Sequence, residues 1–249
     1  MANVQSHYAD HLGPVYTWSV GGIDAAIGRG ESELQTLALL PRATGIAIDL
    51  GAGFGMHAIP LAMRGYRTLA IDSCATLLDE LRARLDELPV TCIQDDLLSF
   101  ERHIGEAPEL VLCMGDTLTH LESVRAVEQL IGSAAFSLCP GGSLVLSFRD
   151  YTVALEASAR FIPVRSDDSR IMTCFLEYRE HELTVHDLLY ERNPPGEQSA
   201  WRFSVSSYNK LRLSPERVSA MIQQNGLAVT RDTGLSGMVR LVGVKPAAP

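Results

Sequence analysis

The sequence predicts an α/β fold built on a mostly parallel sheet with helices on both faces. Three observations carry that reading. Short apolar runs ending in an acid or a glycine recur through the first 150 residues, amphipathic stripes at helical spacing separate them, and the first run opens onto a glycine-rich turn. Near-continuous hydrophobic strands alternating with helices are the pattern of right-handed βαβ units, whose parallel strands are buried on both faces.

The elements follow in order. Residues 1–41 precede the first strand and read as helical; they carry Tyr8, Tyr16 and Trp18, with Glu31–Ser32 as a capping pair ahead of an apolar run. Five strands are then expected at GIAIDLG (45–51), YRTLAID (66–72), VTCIQDD (90–96), ELVLCMGD (109–116) and GGSLVLSF (141–148). The acids Asp49, Asp72, Asp96 and Asp116 stand 23, 24 and 20 residues apart at or near their ends. Leu77, Leu78, Leu81, Leu85 and Leu88 form an i, i+3/i+4 stripe with charged residues opposite, and Val124, Val127, Leu130, Ile131 and Ala134 repeat it before Pro140 and Gly141–Gly142.

After Phe148 the pattern changes to longer alternating runs at 170–180, 183–192 and 201–213, with the turn Asn193-Pro194-Pro195-Gly196 before the last. These read as antiparallel strands attached to the parallel sheet. Ser214-Pro215-Glu216 starts a helix that Asn225-Gly226 ends, and a hairpin of two short strands completes the sheet edge. The expected division is a helical lid (1–41), a ligand-binding core (42–150), an antiparallel insertion (151–213) and a C-terminal helix and strands (214–249).

Composition bounds the function. The 249 residues, 46% hydrophobic and 20% charged, suit one sizeable soluble domain. A balance of 21 basic against 30 acidic residues, net −9, disfavours coating nucleic acid or an anionic membrane. The N-terminus lacks the basic start and apolar core of a signal peptide. Gly132 to Phe148, the longest uncharged stretch, is broken by Pro140, two glycines and serines. Five cysteines, odd in number and far apart, read as buried free thiols of a reducing cytoplasm. His181 and His186, five apart, suit neither a strand face nor a helix face, and no metal site is expected.

The strongest local signal is Asp49-Leu50-Gly51-Ala52-Gly53-Phe54-Gly55 at the end of the first strand. Glycines there let the backbone take positive φ and pass close to a ligand in the crevice beyond the strand ends. A dinucleotide fingerprint needs a third glycine where this chain has Met56, which argues against a nicotinamide-dependent oxidoreductase. The DxGxGxG pattern matches the first motif of class I S-adenosylmethionine-dependent methyltransferases, which the chain resembles.

That resemblance implies a Rossmann-like methyltransferase fold with a seven-stranded sheet, and S-adenosylmethionine as cofactor. It implies Asp49, Gly51, Gly53 and Gly55 at the cofactor, Asp72 on the ribose hydroxyls, and Asp96 with the Leu97 amide at the adenine; Asp95 is the alternative register. Helix capping is the competing account of Asp72 and Asp96. The segment Cys113 to Leu121 is similar to the Gly-Asn-Ser-x-x-His-Leu of glycine N-methyltransferase-like enzymes, and Pro140 to Tyr151 to their Pro-Gly-Gly strand and Arg-Asn-Tyr turn.

By this likeness Met114 falls among the cofactor residues, and Tyr16 and Trp18 belong to a lid over the cofactor, with an ordinary hydrophobic staple as the competing account. Arg149 is expected on a substrate carboxylate, with a surface ion pair as the alternative, and Tyr151, Tyr208 and Tyr8 are pocket candidates. Asp116 replaces the family's asparagine beside the reacting amine, so that glycine is no longer an obvious acceptor; Asp116 and His120 become the candidate base or orienter. The implied activity is in-line methyl transfer to nitrogen or oxygen of a small molecule, with amine- or carboxylate-bearing metabolites as candidate acceptors. A non-catalytic S-adenosylmethionine-binding protein is the alternative. Neither nucleic acid nor membrane is expected as a partner, and residues 151–213 are expected to wall the acceptor pocket or to join copies in a homo-oligomer.

Overall fold

The computed structural model describes residues 4–197 and 199–247. The chain opens with a short helix α1 (Val4–His7), a π turn over Tyr8–Leu12, and helices α2 (Gly13–Ser19) and α3 (Ile23–Thr36). Five parallel strands follow: β1 (Ile46–Leu50), β2 (Arg67–Asp72), β3 (Val90–Gln94), β4 (Leu110–Cys113) and β5 (Ser143–Phe148). Helices α4 (Ala58–Met63), α5 (Ala75–Arg82) and α6 (Val124–Ser137) connect them. Helix α5 is shorter than its leucine stripe, because Asp86 takes φ 44° and turns the chain; Leu85 and Leu88 still pack on the helix side.

Every residue of β1 is buried, as a central parallel strand requires. Its side chains alternate between two cores. Ile48 and Leu50 join Val111, Leu144 and Leu146 against Val127, Leu130 and Ile131 of α6. Ala47 joins Leu112 and Val145 against Leu34 of α3 and Leu61 of α4 on the opposite face.

The antiparallel region departs from expectation. Strands β6 (Phe161–Ser166), β7 (Arg170–Tyr178), β8 (Glu182–Arg192) and β9 (Trp201–Leu211) form their own four-stranded sheet in that order, with no strand paired to the parallel sheet. Strand β6 was not expected, because Pro163 and an irregular register between Pro163 and Arg165 hide its alternation. Helix α7 (Pro215–Gln224) and the hairpin β10 (Ala228–Thr233) and β11 (Val239–Val244) then return to the core. Strand β11 pairs antiparallel with β5, giving a seven-stranded order β10-β11-β5-β4-β1-β2-β3. This is the mostly parallel sheet the sequence predicts.

Neighbours β4 and β2 flank β1, so the order reverses at its end and a crevice opens there. All five cysteines are free; Cys74, Cys113 and Cys139 are buried, while Cys92 and Cys174 are only half-buried. Among the described residues no helix is long and apolar enough to cross a membrane.

The three glycines of the first turn have φ of 75°, 53° and 92°. A Cβ at Gly51 would stand 2.4 Å from Thr117 Cγ2, and one at Gly55 would stand 2.4 Å from Leu81 Cδ1. Gly55 therefore seats α5 against the loop and does not line the crevice. The expectation that it touches a ligand is corrected on that ground. Gly55→Ala should lower unfolding stability by roughly 1–3 kcal/mol through overpacking and strained φ, read from urea denaturation.

Candidate functional site

The crevice is a cleft of about 410 Å³. Gly51, Gly53, Phe54 and Met56 form its floor, and Asp72 and Ser73 follow from the end of β2. Asp96, Leu97 and Leu98 come from the turn after β3, and Met114, Gly115, Thr117 and His120 from the turn after β4. Gln5, Tyr8, Tyr16 and Val20 of the N-terminal helices close it from above. Thus Gly51, Gly53, Asp72, Asp96, Leu97, Met114, Tyr16 and His120 share one cavity.

Asp72 is fixed by two backbone donors: Gly53 N–H reaches Oδ2 at 2.7 Å and Cys74 N–H reaches Oδ1 at 2.8 Å. Burial raises its carboxyl, with the amides of Cys74, Gly53 and Ser73 opposing. The two acids after β3 face different ways. Asp95 turns to His103, with 2.8 Å between Oδ2 and Nε2, while Asp96 stands on the cleft. Asp96 also caps the following 3-10 turn, accepting from Leu98 N–H at 2.8 Å, so the capping and cleft readings hold together.

Asp49 lies beneath the floor, and its Oδ2 is buried with no hydrogen-bond partner. Burial pushes its carboxyl up to about 6, with Asp72 adding and His57 opposing. An orphaned buried carboxylate oxygen calls for a donor or cation. Glycines that bring the floor close, a paired-oxygen acceptor at Asp72 and the spare acid at Asp49 fit a nucleoside carrying a cationic, ammonium-bearing tail.

The other end of the cleft is aromatic. His120 Nε2 is buried without a partner, and its ring lies 5.7 Å from that of Tyr8 and 5.5 Å, edge-on, from that of Tyr208. Burial drives the imidazole down to about 3, Lys210 lowers it further and Asp116 opposes, so the ring is neutral. Burial likewise raises the phenols of Tyr8 and Tyr16, which stay protonated. No lysine or arginine is among the described lining residues; Asp72, Asp96 and Glu122 are.

Asp116 is not the free carboxylate the sequence suggests. It is buried with φ 77°, and Oδ2 meets Lys210 Nζ at 2.5 Å and the Tyr151 hydroxyl at 2.9 Å. Oδ1 accepts from the Arg149 amide at 2.9 Å and the Thr119 hydroxyl at 3.1 Å. Burial alone would raise the carboxyl, but the Lys210 ammonium and the Arg149 amide outweigh it and hold it below the usual range. Asp116 is therefore a positioning residue under the Thr117–His120 turn and no candidate base. Lys210, 94 residues away in the chain, went unseen in the sequence; the only hint was a charge on an alternating strand.

Three further expectations are corrected. Arg149 is exposed, with its guanidinium on the Ser236 carbonyl at 3.5 Å, outside the cleft. Trp18 donates to Asp167 at 2.5 Å and lies 5.7 Å from the guanidinium of each of Arg165 and Arg170, against the antiparallel sheet instead of the cofactor end. Tyr151 and Tyr208 are buried behind the wall and do not line the cleft; Tyr151 serves Asp116, and Tyr208 stacks on His7 at 4.2 Å.

A sequence profile described as a methyltransferase domain matches residues 47–142. A glycine/sarcosine N-methyltransferase of Aphanothece halophytica is 29% identical over 112 residues, 44% of this chain and 42% of that protein, so the match spans less than half of the curated relative. The CcbJ methyltransferase of Streptomyces caelestis superposes with TM-score 0.77 at 20% identity, over 98% of this chain and 99% of that one. The amino pentose methyltransferase CalS10 of Micromonospora echinaspora, solved with S-adenosylmethionine bound, gives 0.73 at 16% identity over 94% and 97%. These structural likenesses show the fold.

Removing one partner of a buried ion pair leaves the other uncompensated. Lys210→Met should therefore destabilise the protein by about 3–5 kcal/mol. The Asp116→Asn, Lys210→Met double variant should recover part of that loss, measured by thermal and urea unfolding.

Proposed function

We propose that the chain, whose residues 47–142 match a methyltransferase domain, is a class I S-adenosylmethionine-dependent methyltransferase that methylates the nitrogen or oxygen of a small, neutral or cationic amine- or hydroxyl-bearing molecule. The observation that carries the acceptor class is the unpartnered Nε2 of His120, neutral beside Tyr8, in a cleft whose described lining residues include no lysine or arginine and whose other histidine, His57, is paired with Glu33. A carboxylate-bearing acceptor would have no cation to meet there, since Arg149 faces away. The amino pentose named for one structural neighbour belongs to the proposed class.

Bound S-adenosylmethionine would supply an activated methyl group on its sulfonium. Asp72 is placed to accept from both ribose hydroxyls, and Asp96 with the Leu97 amide to meet the adenine edge. The close backbone of Gly51 and Gly53 and the spare charge of Asp49 suit the methionine end. At the opposite wall, His120 Nε2 accepts a hydrogen bond from the attacking amine or hydroxyl and so aims its lone pair into the cleft. With an imidazole near 3, His120 orients the acceptor and does not hold a proton at neutral pH. Tyr8, Tyr16 and Val20 keep water out, so positioning does most of the work, an effect worth up to ~7–11 kcal/mol in well-oriented systems.

Titration calorimetry with S-adenosylhomocysteine and with NADH tests the cofactor; binding of the first alone is expected. Asp72→Asn should weaken that binding about 10- to 100-fold by removing a charged acceptor. A transfer screen over amines, amino sugars, alcohols and amino acids, read as S-adenosylhomocysteine formed, tests the acceptor. Turnover confined to carboxylate-bearing acceptors would overturn the class. His120→Ala should cut kcat/KM about 10- to 100-fold, through lost orientation of the acceptor, with cofactor affinity kept. The imidazole is deprotonated above about 3 in the folded protein, so the pH–rate profile should rise with the acceptor's own ionisation and show no histidine step between pH 5 and 8.

A further inference from the structure

One face of the antiparallel sheet is covered and the other is bare. Met172 and Leu189 pack on Leu12 and Val15 of the N-terminal helices, and Asp187 on the same face holds His7. The register places Ile171 opposite Tyr190 and Tyr190 opposite Phe203 on the other face, with Phe161 opposite Phe175 further along. There Val205 is 53% exposed, Phe161 52% and Phe203 49%. Two ring pairs, Phe161–Phe175 and Tyr190–Phe203, stack at 4.7 Å, the first with the Arg160 guanidinium 5.0 Å from the Phe175 ring. A contiguous apolar patch of this kind on a soluble protein marks an interaction site.

We infer that this face joins two copies of the chain in a two-fold dimer. Two arguments favour a second copy. The first is area. Strands of up to 11 residues, rising ~3.4 Å each and spaced ~4.8 Å apart, give the face a footprint of roughly 600 Å². Two such faces would hide about 1,200 Å² or more, within the range of stable interfaces.

The second is charge. Glu177, whose Oε2 lies 3.2 Å from His186 Nε2, stands half-exposed on this face at one end of the sheet, beyond Phe175, and Arg192 stands at the other end, over Trp201 at 5.1 Å. A two-fold axis lying in the face and crossing the strands keeps the strands aligned, as sheet packing prefers. It turns them end for end and brings the Glu177 end of each copy onto the Arg192 end of the other. The contact is made twice, as an isologous interface requires. The cleft opens elsewhere, at the ends of the parallel strands, so the dimer leaves both clefts accessible.

Sedimentation equilibrium of the full chain tests this. The wild type should be a dimer at micromolar concentration, and Val205→Arg and Phe203→Glu should each raise the dissociation constant about 100-fold or more. Glu177→Arg and Arg192→Glu should each weaken the dimer about tenfold, and the double exchange should restore it. Unchanged thermal midpoints and S-adenosylhomocysteine binding show that the variants are folded. A wild type that stays monomeric overturns the proposal and leaves the face to a different partner. Dimers that survive both Val205→Arg and Phe203→Glu overturn it in favour of another surface.

Discussion

The buried pair of Asp116 and Lys210 is the contact on which the arrangement of the site depends. A lysine on β9 of the antiparallel sheet reaches a carboxylate at the end of β4 in the parallel sheet, although no strand links the two sheets. The same carboxylate takes the Arg149 amide after β5 and the Tyr151 hydroxyl. Two charges this deep are stable only when their remaining donors and acceptors are satisfied. That requirement locks Asp116 at φ 77° and with it the turn that carries Thr117 and His120. Thr117 in turn fills the space a side chain at Gly51 would take, so the floor of the cleft and its aromatic wall are set by one cluster.

A second set of polar contacts explains why the N-terminal segment behaves as two pieces. His7 Nε2 meets Asp187 at 2.9 Å and Nδ1 meets Ser206 at 2.8 Å, and Trp18 holds Asp167. Helices α1 and α2 are therefore fastened to the antiparallel sheet. Helix α3 is fastened to the core instead, through Leu34 and through Glu33, which meets His57 at 3.2 Å and Arg240 at 3.7 Å. Gly21 and Gly22, at φ 97° and 95°, lie between them. The roof of the cleft thus belongs mechanically to the sheet that supplies Lys210.

The parallel sheet was legible because its information is local. Each buried strand is a continuous apolar run and each helix a stripe, and the glycine turn with Asp72 and Asp96 sits at fixed places in that repeat. What escaped the sequence is pairing over long separations. Nothing near Asp116 announces Lys210, and nothing near Arg149 says that its guanidinium turns outward to Ser236. Trp18 was misplaced for the same reason: an aromatic on a helix over the cleft and one on a helix against the second sheet have the same local pattern. Strand β6 was lost to a proline and an irregular register, which break the alternation by which strands are recognised.

The electrostatics divide the cleft, and this division bears on what each end can hold. At one end of the cleft lie Asp72 and Asp96, with Asp49 beneath the glycine loop raised by burial and its Oδ2 unpartnered, so a cation gains most there. Around His120 the ionisable groups are forced neutral: the imidazole is driven down and the phenols of Tyr8 and Tyr16 are driven up. The one strong charge close behind that wall, Lys210, is cancelled by Asp116. The hydroxyls and the cationic tail of a nucleoside find acceptors at the acidic end, while a lone pair at the neutral end meets no charge that competes for it. The Lys210–Asp116 pair therefore holds the His120 turn in place while leaving little net charge behind it, and burial keeps the histidine unprotonated.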